Sequence, residues 1–179
     1  MKRLALFLDR DGVINVDKEY VHKIEDVEFL DGIFELIAHA KNLHYLVIII
    51  TNQSGIGRGI FSEEDFQKLN KWMLDQLKKN GASIDNVYYC PTHPTKGIGK
   101  YKKSDNRRKP NPGMIFEARN DYNINLSQSI LLGDKIIDME AGLASGIKNL
   151  FLLSKEKKFK NSININSLKE VISFLKKIN

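Results

Sequence analysis

Two carboxylates stand two residues apart in Asp9-Arg10-Asp11-Gly12, at the end of an apolar run. In an extended chain such residues point the same way, so Asp9 and Asp11 are expected to face one space, with Arg10 turned aside. Carboxylates this close repel unless a cation binds between them or one takes a proton. The pair suits a nucleophile and a general acid/base. A polar strand end followed by a turn explains the same four residues more plainly, and a lone Asp-x-Asp does not decide between the two. A second apolar run ends in Thr51-Asn52-Gln53-Ser54-Gly55, whose hydroxyls, amides and free backbone N–H groups could cradle a phosphate. Its plainer reading is a mobile glycine-rich loop. A third ends in Gly133-Asp134-Lys135, with Asp138 four residues on. Beside the first pair, Asp134 could complete an oxygen-rich Mg2+ site; alone it reads as a helix N-cap. Finally, Arg107-Arg108-Lys109-Pro110 offers cations for phosphate or for neutralising a nucleophile, or else a solvated basic loop.

The elements that must position these groups alternate. Residues 4–8, 45–50, 87–90, 130–132 and 149–153 read as buried strands. Helices are predicted over 33–43, from a Ser62/Asp65 capping box to about residue 79, over 136–144 and over 167–177. Another is predicted from an Asn111 N-cap, with Pro112 as first helical residue, to residue 120. Residues 91–109 and 155–164 read as surface loops. Strands alternating with helices imply an α/β, Rossmann-like, three-layer fold on a mainly parallel sheet. Residues 1–179 form one domain in this reading, and the 91–109 insertion is too short for a separate cap domain. Ligands of such sheets bind beyond the carboxyl ends of the strands, where the polar motifs fall.

Composition bounds the rest. The chain has 179 residues, 42% hydrophobic and 28% charged, enough for one sizeable core. Its net charge is +6. Much of the excess lies in two Lys-rich stretches without aromatic interleaving, so a solvated surface is favoured over a nucleic-acid footprint. The longest apolar run is far too short to cross a bilayer, so no membrane partner is expected. Lys2 and Arg3 lead into a strand with no signal-peptide core, and Cys90 is the single cysteine. A cytoplasmic protein is the expectation, and a monomer.

The order of the motifs is more specific than any one of them. Strand-Asp-x-Asp-Gly, strand-Thr, Lys-Pro before a helix and strand-Gly-Asp follow each other at successive strand ends. The chain resembles the haloacid dehalogenase superfamily over nearly its full length. Asp9-Arg10-Asp11-Gly12-Val13-Ile14-Asn15, Thr51-Asn52-Gln53-Ser54-Gly55, Arg108-Lys109-Pro110 and Gly133-Asp134-Lys135 are similar to the D-glycero-D-manno-heptose 1,7-bisphosphate 7-phosphatases. Histidinol-phosphate phosphatases share most of the pattern. Val13-Ile14-Asn15 and the stretch from Asp17 to Tyr20 fit the heptose branch better.

The resemblance implies a Mg2+-dependent phosphatase that makes activated heptose precursors for surface polysaccharide. Asp9 would attack phosphorus, and Asp11 would act as acid and then base. Asp9, Asp134 and the backbone carbonyl of Asp11 would hold the metal, while Thr51 and Lys109 held the transferring phosphoryl group. Asp17, Lys18, Glu19 and Tyr20 would hold the sugar, with Asn52, Gln53, Ser54 and Lys135 also against the substrate, and Arg108 would help choose it. A polynucleotide 3′-phosphatase of the same superfamily, and a non-catalytic sugar-phosphate-binding protein, are further readings. One departure matters. The family's loop carries structural zinc on three cysteines and a histidine. Here Cys90 matches the first ligand, Thr92 stands at the histidine, and Asp105 and Arg107 stand at the other cysteines. Four-ligand zinc is therefore expected to be absent, with the loop held by ordinary hydrogen bonds and packing.

Overall fold

The computed structural model describes residues 2–177. Six parallel strands form one sheet in the order β3-β2-β1-β4-β5-β6. They are β1 (Ala5–Leu8), β2 (Leu46–Asn52), β3 (Asn86–Cys90), β4 (Ile130–Gly133), β5 (Asn149–Leu153) and β6 (Ile163–Ile165). The helices are α1 (Ile33–Asn42), α2 (Ser54–Gly57), α3 (Glu63–Lys79), α4 (Gly113–Tyr122), α5 (Ile136–Ser145) and α6 (Leu168–Lys177).

The central strands are apolar until their carboxyl ends because both faces are covered; β2 turns polar only at Thr51 and Asn52. Leu6, Leu8, Val47 and Ile49 pack with α1, α3 and α6. Their neighbours Ala5, Phe7, Leu46 and Ile48 point the other way, to α4 and α5. This is the expected three-layer α/β architecture. Strand order reverses between β1 and β4, which pair from Leu6↔Ile130 to Leu8↔Leu132. Such a reversal opens a crevice beyond the strand ends. Asp9 and Asp134 follow these two strands directly, so their carboxylates meet there.

Three expectations need correction. Part of the predicted 155–164 loop enters the sheet: Ile163–Ile165 pairs with β5 as a sixth strand. Three residues are too few to show a period. The Gly-rich stretch after β2 is not a free loop but the single helical turn of α2. Asn111 does not cap α4. Its amide donates to the Asp105 carbonyl, and the helix begins at Gly113 behind Pro112. By contrast α3 starts as predicted, with Ser62 Oγ accepting from Asp65 N at 3.0 Å and Asp65 Oδ2 accepting from Ser62 N at 2.9 Å.

The insertion between β3 and α4 is pinned at both ends. At its entry, Gln53 N donates to the Cys90 carbonyl at 2.8 Å. At its exit, Asn52 Nδ2 donates to the Lys109 carbonyl and Asn52 Oδ1 accepts from Lys109 N, both at 3.0 Å. Between them the loop is knitted by local bonds. Cys90 Sγ meets Thr92 Oγ1 at 3.1 Å, Ile98 N donates to Gly57 O at 2.8 Å, and the Tyr101 hydroxyl donates to Glu63 at 3.0 Å.

Candidate active site

Asp9 leaves β1 with its backbone still tied to β4, N to Leu132 O at 3.1 Å. Its carboxylate accepts from Arg10 N at 2.7 Å and pairs with the Lys109 ammonium at 2.9 Å. That ammonium also meets Asp138 Oδ1 at 2.6 Å and donates to Ile50 O at 2.9 Å. The ammonium is thereby held between two carboxylates and a backbone carbonyl. Lys109, Asp9 and Asp138 are all buried. Oxygens of Asp9, Asp134 and Asp138 lie within 4.8 Å of one another.

Two buried carboxylates, Asp9 and Asp138, thus share one ammonium, and the half-buried Asp134 lies close by. The charge imbalance is visible in their proton affinities. Burial, helped by Asp138 and Asp134 and opposed by Lys109, pushes Asp9 up to about 7. Burial, with Asp138 adding to it against Lys135, pushes Asp134 up to about 6. Burial works against the Lys109 ammonium, but Asp138 and Asp9 outweigh it and hold the group above the usual lysine range. Asp134 Oδ1 is buried with no hydrogen-bond partner. An oxygen-rich site short of positive charge, with an unpartnered carboxylate oxygen, fits a hard divalent cation such as Mg2+. Gly12 makes the approach possible. Its φ is +90°, and a Cβ there would lie 2.4 Å from the Asp134 carboxylate.

Asp11 faces a different set. Its carboxylate accepts from Arg10 Nε and Nη2, the latter at 2.9 Å, and from Asn15 Nδ2 and Gln53 Nε2, each at 3.0 Å. Arg10 is therefore not turned aside. It is fully buried, donates to Val21 O at 2.8 Å and lies over the Phe66 ring. Gln53 Nε2 also donates to Thr51 Oγ1 at 2.8 Å, which leaves the Thr51 hydroxyl proton free for an acceptor.

Above this floor lies a cleft of about 440 Å³. Asp11, Asn52, Gln53 and Ser54 line it from the β1 and β2 ends. Asp17, Glu19, Tyr20, Arg108 and Lys135 line it from the loops. Lys135 pairs with Asp17 at 2.8 Å. Burial opposes the Asp17 charge, but Lys135 outweighs it and holds that carboxyl below its usual range. Arg108 donates to Thr92 O at 3.0 Å and keeps the rest of its fork available. Lys18 lies elsewhere: it pairs with Glu28 at 3.1 Å on the exposed side and is not among the lining residues. The sequence singled out Asp138 only by its spacing and gave Arg10 and Asn15 no role. Asp138 also accepts from Lys135 N at 3.0 Å, so it fastens the start of α5 while it meets Lys109. Its position four residues after Asp134, at a helix start, was the available signal.

Comparison with known proteins bears on this geometry. Residues 5–169 match the family model described as polynucleotide kinase 3 phosphatase. A Burkholderia mallei protein named D-glycero-alpha-D-manno-heptose-1,7-bisphosphate 7-phosphatase is 55% identical over 86% of this chain and 81% of its own. A Vibrio cholerae protein named for the beta anomer is 48% identical over 86% of this chain and 82% of its own. The chain belongs to the heptose bisphosphate phosphatase family. The crystal structure of the D,D-heptose 1,7-bisphosphate phosphatase from B. bronchiseptica, complexed with magnesium and phosphate, has a TM-score of 0.83 and 26% identity, covering all of both chains. This family membership makes the chain a phosphatase, and its fold is that of the haloacid dehalogenase superfamily.

Proposed function

We propose that this chain removes the 7-phosphate of D-glycero-D-manno-heptose 1,7-bisphosphate, with Asp9 as covalent nucleophile. The observation that carries the chemistry is Asp9, buried beside Lys109 at the strand reversal, with Asp11 two residues on lining the cleft. The names of relatives at 55% and 48% identity support the substrate.

The residues divide the work. An Asp9 carboxylate oxygen bonds to phosphorus while the phosphorus–oxygen bond to the sugar breaks. Lys109 favours the ionised form of Asp9 and aligns it, and the free Thr51 proton meets a phosphoryl oxygen. Asp11, on the cleft side, gives a proton to the leaving alkoxide and then takes one from water, which hydrolyses the aspartyl-phosphate. Phosphoryl transfer asks mainly for alignment and charge neutralisation. Asp9, Asp134 and the Asp11 carbonyl would hold a divalent cation, which would supply the remaining positive charge. Arg108 and Lys135 exceed what one transferring phosphate needs, so they are assigned to the second phosphate. Asp17, Glu19 and Tyr20 offer acceptors and a hydroxyl for the polyol. Lys18, paired with Glu28, is left to the outer wall.

The same reading takes the protein as a cytoplasmic monomer that needs no zinc and no nucleic acid. The test is phosphate release with and without Mg2+. The panel is both heptose bisphosphate anomers, histidinol phosphate, fructose 1,6-bisphosphate and a 3′-phosphorylated oligonucleotide. A heptose bisphosphate should have the highest kcat/KM, with Mg2+ required. Faster turnover of histidinol phosphate, or of the oligonucleotide, would move the substrate assignment and leave Asp9 in its role.

A further inference from the structure

Glu19 and Tyr20 both adopt left-handed backbone conformations, φ 55° and 54°. Two such residues in succession, neither of them glycine, need outside support. Part of it is local. Glu19 N donates to Asp17 Oδ1 at 3.1 Å, and His22 Nδ1 meets the Tyr20 carbonyl at 2.7 Å while its ring stacks on Phe61. The tyrosine ring packs on the small cluster of Ile56, Phe61 and Phe66. The remaining support comes from Arg58, at the end of α2, which does not line the cleft. Its backbone N is fixed to Ser54 O at 3.0 Å. Its guanidinium carbon lies 5.6 Å from the centre of the Tyr20 ring, and its Nη1 donates to the Tyr20 hydroxyl.

The direction of that last bond has a consequence. A guanidinium has donors and no acceptor, so the phenol oxygen can only accept from it. The hydroxyl proton must then point elsewhere. Tyr20 lines the cleft. We propose that Arg58 is a positioning residue that fixes the 19–20 elbow and commits Tyr20 to donate a hydrogen bond to the polyol part of the substrate. Arg58 touches no reacting atom. It contributes selectivity for the sugar portion. The inference rests on the reading above only in requiring a phosphorylated polyol, whichever one the enzyme prefers.

The experiment is a double-mutant cycle with Arg58→Met, Tyr20→Phe and the pair. It uses the best sugar phosphate of the wild-type panel, with p-nitrophenyl phosphate as a substrate that has no polyol. Arg58→Met should raise KM for the sugar phosphate about tenfold, the loss expected for one hydrogen bond held uniformly from ground to transition state, with kcat changed less than about threefold. On p-nitrophenyl phosphate the KM change should stay under about threefold. The double variant should be no worse than Tyr20→Phe, because both changes remove one interaction. Arg58→Lys, which keeps a donor and a charge, should recover part of the loss. Equal KM effects on both substrates, or additive losses in the pair, would overturn the proposal. Circular dichroism checks folding, and if Arg58→Met does not fold, Arg58→Lys completes the cycle. A wild type that prefers another sugar phosphate would move the heptose assignment and leave this test intact.

Discussion

The floor of the cleft and its rim are built on opposite principles. The floor is Asp9 and Asp134, directly after β1 and β4, with Asp138 from the first turn of α5 and the Lys109 ammonium paired to Asp9 and Asp138. Its groups have little freedom: Asp9 N is bonded to Leu132 O of β4, Lys109 is clamped to Asn52 at the end of β2, and Asp138 is fixed to Lys135 N. The rim is made of loop residues held mainly by side-chain contacts: Lys135 to Asp17, Arg108 to Thr92 O, and Tyr20 by Arg58 and the cluster of Ile56, Phe61 and Phe66. The difference teaches where each property resides. Chemistry that tolerates no misplacement is hung on the sheet. Substrate choice is left to segments whose contacts can change one at a time.

The comparison breaks most sharply at Asp9. Asp9→Asn should lose roughly 10⁴-fold in kcat, since no other group can take the phosphoryl group. It should still fold, because Lys109 keeps Asp138. Steady-state kinetics and circular dichroism check both, on protein shown free of deamidation. A near wild-type rate would remove the floor's assigned role.

At the rim the effect should be smaller and selective. Arg108→Ala should cost about 1.5–3 kcal/mol, or ten- to a hundredfold in kcat/KM, on a heptose bisphosphate. The cost on p-nitrophenyl phosphate should be clearly less. Equal losses would place Arg108 at the transferring group, and so on the floor.

The floor's missing charge predicts a dependence on pH. Asp9 lies at about 7 in the folded state against an ordinary 3.8, and Asp134 at about 6. Both pKa values are raised on folding, so the unfolded chain holds these carboxyls ionised where the folded chain resists it. As far as these groups decide it, the metal-free protein should be most stable below about pH 4 and should lose that part of its stability progressively as pH rises from there to about 6 to 7. Added Mg2+ should raise Tm by about 3 °C or more at pH 8 and much less at pH 5. A Mg2+ shift equal at both pH values would mean the ion binds somewhere else.

The smallest effect is expected in the 91–109 loop. Cys90 bonds to Thr92, and among the described residues the one close group of metal-ligating side chains is the acidic floor. Cys90→Ser should leave activity within about twofold and cost no more than about 1 kcal/mol of stability. Elemental analysis should find no stoichiometric zinc. About one zinc per chain, lost with stability in this variant, would show that the loop is a metal site after all.

Most of this plan was legible in the sequence, and the failures have physical causes. Covered on both faces, the central strands announced themselves as apolar runs, and the Asp and Thr motifs fell at their ends. Arg10 was misjudged because side chains alternate only within a strand. β1 ends at Leu8, and the chain then winds round the Arg10 carbonyl, which accepts from Ile14 and Asn15 N. The two-residue period stops there, and Arg10 folds back onto Asp11. Asp138 was passed over because an acidic residue in a first helical turn ordinarily serves the helix. It does so here, through Lys135 N, while its other oxygen meets Lys109. β6 was invisible because Ile163 and Ile165 alone cannot distinguish a strand from a loop.

The two-way amide bond between Asn52 and residue 109 reaches beyond catalysis. With Gln53 N on the Cys90 carbonyl, it clamps both ends of the insertion to the end of β2. The clamps set the Lys109 backbone, and so the approach of its amine to Asp9, from the end of β2. The intervening segment is thereby a cassette. Changes confined to its interior leave these two anchors, the ones that bring Lys109 to Asp9, in place.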